Sequence, residues 1–123
     1  MNSYQIIQLK KILICIGVLM LCAGFAQAQK LQRAQGYLCG MEEGDGGYPS
    51  LRIGIKVVGF GMYNDEPEVK YTGLKNRNLF DVIGHELIIT YVVKKKDNSM
   101  AKVVRSITLT GKVNKRIKPC KDN

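Results

Sequence analysis

The sequence predicts a small, mostly-β domain, closed by one disulfide and preceded by an export leader. Three observations carry this. The stretch 51–63 alternates with the period of two of a strand that has one buried face, with Leu51, Ile53, Ile55 and Val57 apolar. From Val58 onward the apolar residues Val58, Phe60 and Met62 take the opposite parity. The chain opens with a basic and then apolar run, and only two of its four cysteines lie beyond that run. A one-residue phase slip at Val57 and Val58 reads as a β-bulge, with Gly54, Gly59 and Gly61 supplying backbone freedom. Both Ile55 and Phe60 are then expected to be buried, and a strand so bent serves two sheets, as in a small barrel.

Residues 1–28 read as a signal peptide. Lys10 and Lys11 precede an apolar run from Ile12 to Ala26, and Ala26, Gln27 and Ala28 form a small-x-small pattern that places cleavage after Ala28. The run is shorter than the roughly 20 residues a spanning helix needs, so no transmembrane segment is expected after cleavage. Leu21 stands before Cys22 where lipoprotein signals place a small residue, which argues against acylation. Residues 29–123 remain as one domain with 17 basic and 10 acidic residues, a net charge of +7. Its only cysteines are Cys39 and Cys120, an even number in an exported chain, and they are expected to pair. The location implied is periplasmic or secreted.

Residues 29–35 are polar and basic and read as a frayed end or a helical turn, 36–41 as a first short strand, and 42–50 as a glycine-rich acidic loop. The bent strand 51–63 leads through the turn 64–67 into a strand at 68–72 with Val69 and Tyr71 inward. Between Lys75 and Gly84 the spacing becomes helical, with Asn76 or Asn78 as cap and Gly84 as terminator. The most apolar strand follows at 86–93, with Leu87, Ile89, Tyr91 and Val93 on one face and Ile88 and Val92 on the other, so a central position is expected. A charged hairpin loop at 94–99 precedes the last strand, 100–113, with Ile107, Leu109 and Val113 inward. Arg105 breaks its alternation; either a bulge near Val104 turns it outward or its guanidinium enters a polar pocket. The tail 114–123 is basic and tied only by Cys120.

The run LFDVIG at 79–84 leads directly into LIITY at 87–91 and, after the polar hairpin, into VRSITL at 104–109. This resembles the second half of an OB-fold, where a short helix enters the fourth strand and the fifth returns after a variable loop. The resemblance implies a mainly β, five-stranded OB-like barrel with one short helix; an immunoglobulin-like β-sandwich is the alternative, disfavoured by the strand count and the helical segment.

Catalytic signatures are sparse. The pair His85 and Glu86 would need a second histidine at position 89 to build a zinc-protease site, and Ile89 stands there. No Gly-x-Ser-x-Gly occurs. Glu42, Glu43 and Asp45 lack the alternating oxygen ligands of a calcium loop and read as a solvated turn. No metal or cofactor is expected. Charge placement is the least random feature: Lys94, Lys95, Lys96 and Lys102 surround the last hairpin, while acids concentrate in 42–45 and 65–68. Lysines on edges also solubilise without any ligand. The OB resemblance implies that the loop 94–102 borders a ligand groove, to which Arg52 and Lys70 would add positive field. Nucleic acid is excluded by export and by the lack of an aromatic-rich basic strand, leaving an acidic glycan, an anionic lipid headgroup or an acidic protein as partner. The expected function is a non-enzymatic binding module for an anionic ligand; the alternatives are a cell-envelope hydrolase and a structural or inhibitory interaction domain.

Overall fold

The structure, a computed structural model, describes residues 29–120. The signal peptide expected at 1–28, with cleavage after Ala28, falls outside the described residues. Of the two compact units into which the chain divides, the one that starts at Leu31 carries every strand among the described residues, and of the other only Gln29 and Lys30 are described, in no regular structure.

The strands are β1 (Gln32–Glu42), β2 (Tyr48–Ile53), β3 (Lys56–Gly59), β4 (Lys70–Thr72), β5 (His85–Lys96) and β6 (Ser99–Val113), with a short 3-10 helix at Leu79–Val82 between β4 and β5. They form one mixed sheet in the order β3-β2-β1-β5-β6-β4. Neighbours are antiparallel except β4, which pairs parallel to β6. The strand expected at 86–93 is central, held by β1 on one side and β6 on the other.

The sheet is not closed into a five-stranded barrel, nor split into the two faces of a sandwich. The reason lies in the stretch 51–63, which is not one bent strand. Gly54 and Ile55 form a two-residue hairpin turn, so that Leu51 pairs with Val58 and Ile53 with Lys56. Gly54 has φ +63°, the positive value that glycine supplies at the first position of such a turn. Reversal of the chain, not a bulge, exchanges the buried parity. Ile55 is therefore 94% exposed at the hairpin tip, while Phe60 is 2% exposed. Past β3 the chain runs between the flanks: Phe60 N–H donates to Pro49 O (2.9 Å), Gly61 N–H to Lys102 O (2.8 Å), and Gly61 O accepts from Val104 N–H (2.9 Å). Gly61 and Val103 thus form an isolated parallel bridge.

Bulges occur elsewhere. On β1, Leu38 pairs with Leu51 and Gly40 with Ser50, which leaves Cys39 as the extra residue. On β6, Thr90 faces Ser106 and Tyr91 faces Val104, so Arg105 is bulged. Residues 32–35, expected as a frayed end or a helical turn, instead pair with β5 from Gln32 opposite Tyr91 to Gln35 opposite Ile88. The 3-10 helix is capped by Asn78, whose side chain accepts from Asp81 N–H while the Asp81 carboxylate accepts from Asn78 N–H. Gly84, at φ +93°, ends this segment and donates to Leu38 O (2.8 Å).

The core gathers Leu38, Leu51, Phe60, Met62, Leu79, Val82, Leu87, Ile89, Val104 and Ile107. Tyr71, Val93 and Val113 were expected inward and are exposed. Tyr71 lies on a three-residue edge strand, and Val93 and Val113 belong to strand ends that outrun the core. Cys39 and Cys120 are bonded across 81 positions of sequence, and Cys120 N–H also donates to Cys39 O (3.2 Å). Closing a loop of that length constrains the unfolded chain by about 4.5 kcal/mol in the chain-entropy model. Replacing both cysteines by serine should lower unfolding free energy by several kcal/mol, measured by urea denaturation; an unchanged midpoint would show that the tail contributes nothing to stability.

Candidate functional site

Hairpin β5–β6 turns at Asp97 and Asn98, both at positive φ (+47° and +66°), and pairs Lys94 with Ala101, Lys95 with Met100 and Lys96 with Ser99. Alternation then divides its cations between two faces. Lys94 and Lys96 share a face, and the bulge aims Arg105 to the same side. There the segment after β3 folds over them and buries Glu66, whose side chain is 5% exposed. Its carboxylate pairs with Lys94 (2.8 Å), Lys96 (2.8 Å) and Arg105 (3.2 Å), and Asp65 also reaches Lys96 (2.8 Å). Hydrogen bonds from Lys94 and then Lys96 pull the Glu66 carboxyl down to about 2 against the opposing effect of burial. Lys96 is pushed upward by Asp65 and Glu66. Both alternatives read for Arg105 therefore occur together: the bulge turns it out, and a carboxylate receives it.

The other expected cations lie apart. Arg52 donates from Nε to Lys118 O (3.3 Å) and from Nη2 to Pro119 O (2.8 Å), which fastens the C-terminal tail across β2. Lys70 is exposed on β4, opposite Ser106. Lys95 and Lys102 are exposed on the hairpin face turned away from Glu66. The structure does not bring the six candidates into one groove.

A cleft of about 300 Å³ lies where β2, the chain after β3 and the start of β6 converge. Glu42, Tyr48, Ser50, Tyr63, Met100 and Lys102 are among the residues that line it. The two tyrosine rings stand edge to face, 5.8 Å apart at 84°. Each ring lies against a glycine. A Cβ at Gly44 would sit 2.2 Å from the Tyr48 ring, and one at Gly61 would sit 2.4 Å from the Tyr63 ring. Lys96 Nζ lies 5.0 Å from the Tyr63 ring centre, so the ion cluster also fixes this ring. Burial, and next the neighbouring Tyr48, raise the Tyr63 phenol. Sequence reasoning passed over both tyrosines; the signal was a tyrosine within three or four residues of glycines on either side of a hairpin.

Two further acids have structural partners. Glu86 is buried and accepts from Thr110 Oγ1 (2.8 Å) and Gln35 Nε2 (3.1 Å), and the Thr110 bond leads in lowering its carboxyl. Asp45 Oδ1 accepts from Asn64 N–H (3.3 Å), joining two loops. No family model, curated protein or solved structure matches this chain.

The depressed Glu66 carboxyl has a pH signature. Its ion pairs contribute stability fully above the unfolded value near 4.5, and this is lost as pH falls toward about 2. Glu66→Gln should cost about 2 kcal/mol at pH 7, and its stability should fall less steeply than the parent's between pH 4.5 and 2, measured by urea unfolding across that range. Parallel profiles would remove Glu66 as the centre of the cluster.

Proposed function

We propose that the chain is an exported, non-enzymatic binding module on an OB-like sheet, and that the cleft between Tyr48, Tyr63 and Lys102 takes an acidic glycan. The observation that carries this reading is the pair of edge-to-face, glycine-seated tyrosines beside an exposed lysine. Phenol faces pack against the C–H faces of sugar rings, the Ser50 hydroxyl exchanges hydrogen bonds with sugar hydroxyls, and Lys102 pairs with a carboxylate or sulfate. Such a site needs no nucleophile or acid–base pair. A shallow polar cleft also suits an extended polymer better than an enclosed small molecule.

Support for the OB-like reading comes from the arrangement of the five longer segments. The residues 60–62 that prolong β3 touch β6 in parallel through Gly61, and the capped 3-10 helix stands between the third of these segments and β5, as in OB barrels. The extra strand β4 occupies an edge of β6 that a closed barrel would use. In this reading the β1–β2 loop and the β5–β6 hairpin flank the cleft, as the corresponding loops flank ligands in OB-folds. The disulfide is compatible with an extracytoplasmic setting, and the signal peptide expected at 1–28 would deliver the chain to the periplasm or beyond it.

Calorimetric titration with oligogalacturonate and with a neutral dextran oligomer of equal length tests the proposal. The acidic oligomer should bind at least about tenfold more tightly at low ionic strength, and the preference should shrink with added salt because exposed charges are screened beyond roughly 8 Å at physiological ionic strength. Tyr48→Ala should weaken binding about tenfold, Lys102→Glu should abolish the preference for the acidic oligomer, and Lys115→Glu on the tail should leave both unchanged. Equal affinity for the two oligomers, or a silent Lys102→Glu, would overturn the reading.

A further inference from the structure

The opening between β4 and the 3-10 helix presents a different chemistry from the tyrosine cleft. Because the sheet does not close, the core is reachable there from the surface. A cleft of about 330 Å³ enters beneath the β1–β2 loop, with Met62 and Leu79 of the core at its floor. Met41 and Leu74 narrow it, and Tyr71 and Phe80 form its outer walls. Those two rings remain 44% and 55% exposed, and the Tyr71 hydroxyl donates to Met62 Sδ (3.3 Å), which ties the wall to the floor. One cation lines this cleft, and no carboxylate does. It is Arg77, presented by a tight turn in which Lys75 and Asn76 take positive φ (+51° and +63°). Its Nε donates to Leu74 O (3.0 Å) and its Nη2 to Gly73 O (3.2 Å), which fixes the plane of the guanidinium. No acidic side chain among the described residues pairs with it within 4.0 Å.

We propose that this cleft binds the anion of a medium-chain fatty acid, its alkyl chain lying between Phe80, Tyr71 and the Met62–Leu79 floor and its carboxylate on the Arg77 guanidinium. The volume stands near the lower end of about 300–1,000 Å³ for small-molecule sites, which suits a chain of medium length. Two methionines in the lining adapt to an unbranched alkyl chain without a shape-matched pocket. The planar guanidinium matches a carboxylate through paired N–H donors. A cationic amphiphile of the same length meets the same walls but is repelled at the mouth. A sugar finds few polar groups there.

The test uses the exported protein with its disulfide intact, titrated with dodecanoate and with dodecyltrimethylammonium below their micelle concentrations. Calorimetry gives affinity, and NMR of methionine methyl groups gives location. Dodecanoate should shift the Met41 and Met62 methyl signals and leave Met100, which lines the other cleft, in place. It should bind at least tenfold more tightly than the cationic amphiphile. Arg77→Gln should remove that preference, and Phe80→Ser should weaken both ligands about tenfold with an unchanged melting temperature. Equal affinity for the two amphiphiles, methyl shifts at Met100 instead, or full binding by both variants would overturn the proposal. So would a cleft that ignores dodecanoate and binds only an apolar peptide.

Discussion

A carboxylate withdrawn from water needs cations around it, and the burial of Glu66 is the constraint on which the functional end of this molecule depends. An isolated buried charge is costly, and one lysine alone would leave lone pairs unmet. Glu66 meets three cations from two strands, so the segment after β3 is drawn onto the outer face of the β5–β6 hairpin. Lys96 carries the constraint further, because its ammonium also faces the Tyr63 ring and pairs with Asp65. The ring that walls the tyrosine cleft is therefore placed by the same cluster that anchors the loop.

This arrangement divides the positive charge of the hairpin by strand alternation. Successive lysines at 94, 95 and 96 look alike in composition but serve opposite faces. Lys94 and Lys96 meet the acids of 65–66, and Lys95 projects to the other side with Lys102. Arg52, equally basic in the sequence, spends its donors on tail carbonyls beside the disulfide. The charge of the hairpin lysines is thus two exposed side chains, Lys95 and Lys102, and two, Lys94 and Lys96, paired with Asp65 and Glu66.

The open edge follows from a different constraint. A two-residue turn at Gly54 and Ile55 shortens β3, and β4 takes the neighbouring edge of β6, so the flanks meet only through Gly61 among the described residues. The gap leaves Met62 and Leu79 lining a surface cleft instead of a sealed interior. Two clefts of contrasting chemistry, one polar and aromatic, one apolar with a single guanidinium, stand on a domain of this size because of that incomplete closure.

Local rules read directly from the residues were enough for several features. The Gly84 stop, the central apolar strand and the pairing of Cys39 with Cys120 follow from short-range patterning or from simple arithmetic. The cap, open between Asn76 and Asn78, and the bulge, one of two readings at Arg105, were narrowed by such patterning and decided by the structure. The parity change near Val57 was also legible, but a bulge and a two-residue hairpin both produce it, and only pairing of Leu51 with Val58 distinguishes them. The same limit applies to charge. Alternation says that Lys94 and Lys96 share a face, whereas the arrival of Glu66 there depends on a fold-back between residues about 30 apart. Sequence determines which side chains point together along a strand; tertiary structure alone decides what they meet, because burial and ion pairing arise between segments whose approach no local pattern encodes.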